Sequence, residues 1–347
     1  MSAAAHPVEV AELDGSPVAV PIRPARERDL DAVLRLARAG GAGLTNLPPD
    51  RDALAKRIAA SEVAVADAAA REAGAAVLLV AELDGAVVAT GMMWARVGAE
   101  WPFHSYRLTR QASRSVAVGR VEAQWTLNLG NDFDGECEVG GLFVDPARRG
   151  LRLGRLMARA RYLFIAQHRR WFGRRVIAEL RGWQDEAGRS PVWEAIGRHF
   201  YDMDFQEADR MGAIQGNQFI ADLGPRHPLY VSMLPPAAQA ALGRPHDDGV
   251  AARDMLLAEG FRDEGYVDVF DGGPTLVADI DQVATVRDAD VVVVERVAAA
   301  TTPVLACSGV GPDFRVASGR ADGGTIGPAL ARALTVGVGD PIRRVAA

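Results

Sequence analysis

One stretch of the chain carries residues whose types and spacing could do chemistry: Gly141-Leu142-Phe143-Val144-Asp145-Pro146-Ala147-Arg148-Arg149-Gly150-Leu151-Arg152-Leu153-Gly154-Arg155-Leu156-Met157. An apolar strand pattern stops at Asp145-Pro146. A turn rich in arginine and glycine follows, and a helical pattern opens at once. The first N–H groups of a helix lack partners inside it, and the dipole makes that end positive. Such an end takes an anion, and a pyrophosphate suits it well. Arg148, Arg149 and Arg152 add charge and donors for phosphate oxygens. Gly150 and Gly154 let backbone and ligand approach closely. No activated serine or cysteine of the nucleophile-elbow kind is present, so a covalent enzyme intermediate is not indicated.

The surrounding pattern says what must position this turn. Val20 to Pro24 reads as a short strand. Asp29 is expected to cap a helix from about Leu30 to Ala39, with Leu30, Val33, Leu34 and Ala37 at helical spacing. A second helix follows Pro48-Pro49. Ala75–Glu82 and Ala86–Val97 read as strands joined by Asp84-Gly85, a strong hairpin signal. Strand-like stretches follow near Val121–Leu129 and Cys137–Val144, then a long helix from about Gly150 to Trp171. Val176–Leu180 reads as a strand and Pro191–Tyr201 as a helix. Phe219–Leu223 reads as a further apolar strand. Arg253–Glu259 reads as a helix, and Gly265–Phe270 and Thr275–Asp279 as strands. After Asp281 the chain becomes Val-rich in short runs, near 291–294, 314–316, 334–336 and 342–345. The class is therefore α+β with a mixed sheet. The expected organisation is a disordered leader over 1–19, a main domain over 20–283 and a small β-rich C-terminal subdomain over 284–347.

Bulk composition narrows the class. The 347 residues are 49% hydrophobic and 24% charged, as in an ordinary globular protein. The formal charge of −6 argues against a nucleic-acid partner, which would need a basic face. Two cysteines, Cys137 and Cys307, form no disulfide framework or zinc spacing, which points to free thiols in a reducing cytoplasm and to no metal. No apolar run approaches the roughly 20 residues of a membrane span. The start has no signal-peptide pattern.

The arginine-glycine turn resembles the acyl-CoA loop of GNAT acyltransferases, whose pattern is R-G-x-G-x-G/A. Arg149, Gly150 and Gly154 match it, and Arg152 replaces the middle glycine. In that fold a splayed strand before the loop offers a backbone N–H to the thioester carbonyl, and the resemblance puts Leu142 there. Such a donor binds harder as the oxygen gains charge.

Longer strings narrow the resemblance and carry it from about Val20 to the end. They include Ile22-Arg23-Pro24 with Asp29-Leu30, Gly43-Leu44-Thr45-Asn46-Leu47-Pro48, Ser105-Tyr106-Arg107, Val176-Ile177-Ala178-Glu179-Leu180-Arg181-Gly182 and Gly188 through Phe205. Arg226-His227-Pro228-Leu229-Tyr230 and Asp271-Gly272-Gly273-Pro274-Thr275 complete them. On these the chain resembles the arginine N-succinyltransferase family. The resemblance implies a GNAT-like fold with a C-terminal β extension. It implies succinyl transfer from succinyl-CoA to the α-amine of L-arginine, and oligomers of one chain or of two paralogous chains. It places the CoA contact on Leu142 and the proton donor on His246, within Leu242-Gly243-Arg244-Pro245-His246. A histidine titrates near about pH 6.5, which suits proton exchange. Gly140-Gly141 stand where the family has Cys-Thr, and Phe133-Asp134 where it has His-Thr. Tyr201 is a second candidate acid. Glu179, Asp185-Glu186, Asp268 and Asp271 are candidates for a guanidinium, which prefers bidentate carboxylates. Ornithine or another amine, another acyl-CoA, and a non-catalytic paralogous subunit stay open as alternatives.

Overall fold

The structure is a computed structural model, described for residues 12–13, 16–17, 20–41 and 46–347. Within the expected leader, Glu12–Leu13 pairs antiparallel with Ser16–Pro17. The rest of that reading, and the Gly43-Leu44-Thr45 string, lie outside the described residues. The chain forms two compact units. One gathers Met1–Trp94, Gly140–Phe172 and Asp281–Ala347, and the other Ala95–Val139 and Gly173–Ile280.

The first unit contains an antiparallel sheet in the order Ala86–Trp94, Ala76–Leu83, Ile22–Pro24, Arg315–Asp322, Pro303–Ser308, Pro341–Ala346, Asp290–Val293. The expected hairpin forms because Asp84 (φ 52°) and Gly85 (φ 75°) both take left-handed backbone, the pair a type I′ turn requires. The Leu30–Gly40 helix buries Val33, Leu34, Leu36 and Ala37 against Leu54, Ile58, Leu78 and Val80. Asp50 caps the Arg51–Ala66 helix by accepting the Ala53 N–H at 2.7 Å.

Asp29 does not cap the next helix with its side chain. Its carboxylate accepts two bonds from Arg23, at 2.7 and 2.9 Å, and the Arg26 N–H at 2.8 Å. Burial alone would raise its pKa, but these donors win and hold the carboxyl below its usual range. A buried guanidinium needs that partner more than a helix end that water can reach.

The long helix spans Leu153–Gln167, not Gly150 to Trp171, and a 3-10 turn at Arg169–Trp171 follows it. Gly150 (φ 93°) and Arg152 (φ 54°) are left-handed, so helical geometry cannot begin before Leu153. Leu153, Met157, Ala160, Leu163 and Phe164 are buried, as their spacing predicts. Beyond it, the His168 Nδ1–H donates to the Phe164 carbonyl at 2.9 Å, while Nε2 accepts the Gly311 N–H at 2.8 Å. Burial pushes this histidine down to about 4. The unfolded chain therefore binds more protons than the folded one between about pH 6.5 and 4. The neutral ring's contribution is complete above that window and is lost as pH falls through it, about 3 kcal/mol at full extent. In urea unfolding, the stability gap between the parent and His168→Gln should narrow from pH 7.5 to pH 4.5. A constant gap would show that the ring's protonation does not matter.

The C-terminal strands pack Val304, Ala306, Ala317 and Ile342 against the Pro328–Leu334 helix. The run near 334–336 thus closes a helix instead of forming a strand, with Leu334 buried and Thr335 left-handed.

The second unit orders its strands Leu229–Tyr230, Arg120–Gly130, Ser105–Ser115, Arg262–Asp268, Pro274–Asp279, Arg175–Glu179, and then the start of Cys137–Val144. Neighbours are antiparallel except the last pair, where Cys137 and Glu138 lie parallel to Val176 and Ile177. The Ser105–Ser115 strand is mostly polar and exposed, so no apolar alternation announced it. Phe219–Leu223 is helical, part of Gln218–Leu223. The Pro191–Tyr201 helix contains a π turn at Trp193–Gly197, and Trp193 stacks on Tyr201 (5.3 Å) and Phe270 (5.7 Å). Both cysteines are buried thiols. Among the described residues no helix is long and apolar enough to cross a membrane.

Candidate active site

The anion-binding candidate lies wholly in the first unit. Asp145 ends its strand by pairing with Arg35 at 2.6 Å, and its other oxygen accepts the Ala147 N–H at 3.0 Å. The Arg35 bond, reinforced by that N–H, lowers the Asp145 carboxyl. Pro146–Arg148 then forms a 3-10 turn, and Gly150 and Arg152 turn the chain left-handed into the helix. No side chain caps the helix at Arg152. Its first N–H groups therefore face outward with the positive end of a 15-residue dipole. Gly150 and Arg149 are exposed and Arg148 and Gly154 half-buried. A side chain added at Gly150 would meet nothing within 4 Å. Among the described residues Arg149, Arg152 and Arg155 make no ion pair, which leaves their charge for a ligand.

Leu142 stands next to Gly141, whose φ of +55° bends the strand. A Cβ on Gly141 would sit 2.8 Å from the Met92 side chain. The Gly141 carbonyl accepts from the Thr90 hydroxyl at 3.1 Å, and the Gly140 carbonyl accepts from Arg161 at 3.0 Å. Glycine at 141 thus permits a left-handed break in a strand packed tightly against Met92, immediately before Leu142.

His246 belongs to the second unit. Its backbone N–H donates to the Arg181 carbonyl at 2.7 Å, and Gly182 bridges to Pro245. Its Nδ1 accepts the Asp248 N–H at 3.2 Å, and the Asp248 carboxylate lies 3.7 Å away. The neutral ring then carries its proton on Nε2. The side chain is 24% exposed, open to a reactant yet held in one orientation.

The second unit also gathers carboxyls. Directly opposed residues on neighbouring strands share a sheet face, as do residues two apart on one strand. Tyr266 pairs with Thr275, and Thr275 with Glu179. Asp268 is two residues on from Tyr266 and pairs with Ser105. Glu138 pairs with Ile177, two before Glu179. One face therefore carries Glu138, Glu179, Thr275, Asp268 and Ser105. Burial raises Glu138 to about 7, with Asp268 adding repulsion. Burial also drives Glu179 well up, followed by repulsion from Asp268, Glu138 and Asp271. Asp268 is raised by burial although it accepts the Phe270 and Asp271 N–H groups at 2.7 and 2.9 Å. Asp271, raised likewise, accepts Gly182 and Gly273 N–H groups at 2.7 and 2.9 Å. Asp209, from the Phe205–Gln215 helix, rises to about 6 through burial and then Asp268. Glu179 and Asp268 nonetheless keep some solvent exposure.

The other sequence candidates separate from this cluster. Asp185 pairs with Arg189 at 2.8 Å and accepts the turn's own N–H groups, which lower it. Glu186 is exposed. Tyr201 is buried among Trp193 and Phe219, and burial pushes it up to about 12, so it reads as a core aromatic. Two histidines of the matched strings, His199 and His227, are on the surface. Phe133 is fully buried, 4.5 Å from the Tyr266 ring, and Asp134 accepts the Phe103 N–H, so both serve packing. Sequence reasoning missed Glu138, Asp209 and Ser105. Glu138 interrupts an apolar strand, which was its one available signal.

Comparison with known proteins decides the family. The family model described as arginine N-succinyltransferase beta subunit matches residues 20–285. The chain belongs to the arginine N-succinyltransferase family. It is 38% identical to arginine N-succinyltransferase subunit beta of Pseudomonas aeruginosa over 333 residues, 93% of this chain and 97% of that one. It is 40% identical to arginine N-succinyltransferase of Yersinia pestis over 268 residues, 77% of each. The solved arginine/ornithine succinyltransferase subunit AI from Pseudomonas aeruginosa superposes with a TM-score of 0.85 at 31% identity, covering 95% of this chain and 99% of that one. The α+β expectation with a mixed sheet is borne out, and the fold is that of this solved succinyltransferase subunit.

Proposed function

We propose that this arginine N-succinyltransferase family member moves succinyl from succinyl-CoA to the α-amine of L-arginine, giving N2-succinyl-L-arginine and CoA. The observation that carries the reading is the left-handed arginine turn feeding the uncapped start of the Leu153–Gln167 helix. Arg148, Arg149, Gly150 and Gly154 hold the donor's diphosphate through charge and backbone N–H groups. The Leu142 N–H holds the thioester carbonyl and strengthens its grip as the oxyanion forms. The free amine attacks the carbonyl carbon, a C–N bond forms and the C–S bond breaks. His246, as the imidazolium with its Nδ1–H toward the Asp248 carboxylate, gives the Nε2 proton to the departing thiolate and becomes neutral, and the proton lost by the attacking nitrogen recharges it. Positioning two substrates supplies much of the rate. The family match over residues 20–285 supports a catalytic body at 20–283 with a β-rich appendage at 284–347. The reading describes a cytoplasmic enzyme.

A second reading has ornithine as acceptor. It is favoured by the name of the solved relative, arginine/ornithine succinyltransferase. The words "subunit beta" and "subunit AI" on the relatives favour assembly with a second, paralogous chain. A thiol-release assay with succinyl-CoA and a panel of amines tests these together. Release with arginine above all other amines is expected. Release with ornithine alone would replace the acceptor, and no release with any amine, despite CoA binding, would make the chain a non-catalytic subunit.

A further inference from the structure

The second unit buries more acidic side chains than its own cations answer. Three arginines on or beside the strands that carry Glu179, Asp268 and Ser105 have partners of their own. Arg107 pairs with Asp132 (3.6 Å) and lies over the Tyr266 ring, and Arg175 pairs with Glu136 (2.8 Å). Arg181, at the end of the Glu179 strand, donates to Gln184 at 2.6 Å. Among the described residues none of Glu138, Glu179, Asp209, Asp268 and Asp271 is in an ion pair. A second observation is independent of the carboxyls. The Ser105 hydroxyl, in a residue only 1% exposed, has no hydrogen-bond partner and projects from the position directly opposite Asp268. An orphaned buried hydroxyl costs stability unless something completes it. Among the described residues no group of three acidic, histidine or cysteine side chains is placed to hold a metal ion.

We propose that the acceptor's side-chain guanidinium lies against Glu138, Glu179 and Asp268, with the Ser105 hydroxyl accepting one of its N–H groups. The proposal rests on the acyl-transfer reading and extends it to acceptor specificity. Chemistry chooses which end of the acceptor goes there. The α-amine must lose a proton before it attacks, and unanswered carboxylates would hold that proton on it. The guanidinium stays charged throughout, and its planar fork of five donors can satisfy several carboxylate oxygens and a hydroxyl at once. Gly182 and Gly273 keep the backbone around Asp271 close, where a Cβ would strike the Asp271 and Leu180 carbonyls.

The test separates binding from turnover. Calorimetry on the unaltered protein compares arginine with citrulline, which has nearly the same shape and no charge. Arginine should bind at least about 30-fold tighter, because a buried charge cluster left unmatched costs that much. Equal affinities would overturn the subsite, whether or not the protein turns over. Glu138→Gln and Glu179→Gln should each raise the arginine KM by at least about tenfold and leave the succinyl-CoA KM unchanged. Ser105→Ala should raise it by about threefold. Parental arginine KM in the two glutamine variants would also overturn it. Absence of thiol release with every amine would instead count against the acyl-transfer reading, leaving the arginine–citrulline comparison to judge the subsite alone.

Discussion

Replacing His246 with alanine is expected to lower kcat with arginine by about 10²- to 10⁴-fold, the usual worth of a positioned general acid or base. The KM for succinyl-CoA should stay where it is, because the diphosphate candidates lie elsewhere in the chain. The reason is local. The Asp248 N–H at 3.2 Å and the Asp248 carboxylate at 3.7 Å both lie at Nδ1, which leaves Nε2 to exchange the proton between the neutral and the charged ring. The Arg181 carbonyl holds the His246 backbone at 2.7 Å, and the turn closes through the Gly249 N–H on the His246 carbonyl at 2.8 Å. The ring therefore starts oriented, and its loss removes a proton source without moving the fold. A CoA thiolate is a tolerable leaving group, which places the effect nearer the lower end of the range. A fall of less than threefold in kcat, with the variant folded, would remove His246 from the mechanism.

Reversing two charges at the turn, with Arg148→Glu and Arg149→Glu together, is expected to weaken succinyl-CoA binding by about 100-fold or more at low salt. Each change removes a charge-assisted donor and adds repulsion beside the uncapped helix start. Arg149 is exposed, so part of the effect is screened, and raising the salt should shrink the difference between parent and variant. The arginine KM at saturating succinyl-CoA should change little. Equal CoA affinity by calorimetry would show that the diphosphate lies elsewhere and would take the donor-binding proposal with it.

Much of this was legible in residue order. The arginine-glycine turn was readable because helix starts and left-handed positions leave strong local marks. The pattern's middle glycine falls on Arg152, and the structure shows why glycine belongs there: φ is +54°, a conformation that L-residues adopt at a cost. Gly141 shows the reverse. It stands where the family has a residue with a side chain, and its φ of +55° beside Met92 makes it a backbone device. The Asp84-Gly85 hairpin was equally local. Asp29 stands at the N-cap position, as its residue type predicts, but its carboxylate goes to Arg23, a partner that became compelling only once both were buried.

Local order settled the hairpin, the helix faces, the arginine-glycine turn and the family strings, since each depends on residues a few positions apart whose backbone preferences act before any folding. It could not choose among Glu179, Asp185, Asp268 and Asp271, nor reveal Glu138 and Ser105. Those answers depend on register between strands distant in the chain, as when Asp268 comes to lie opposite Ser105. A carboxyl's pKa is set by burial and by the charges packed around it, and both exist only after the chain has closed on itself.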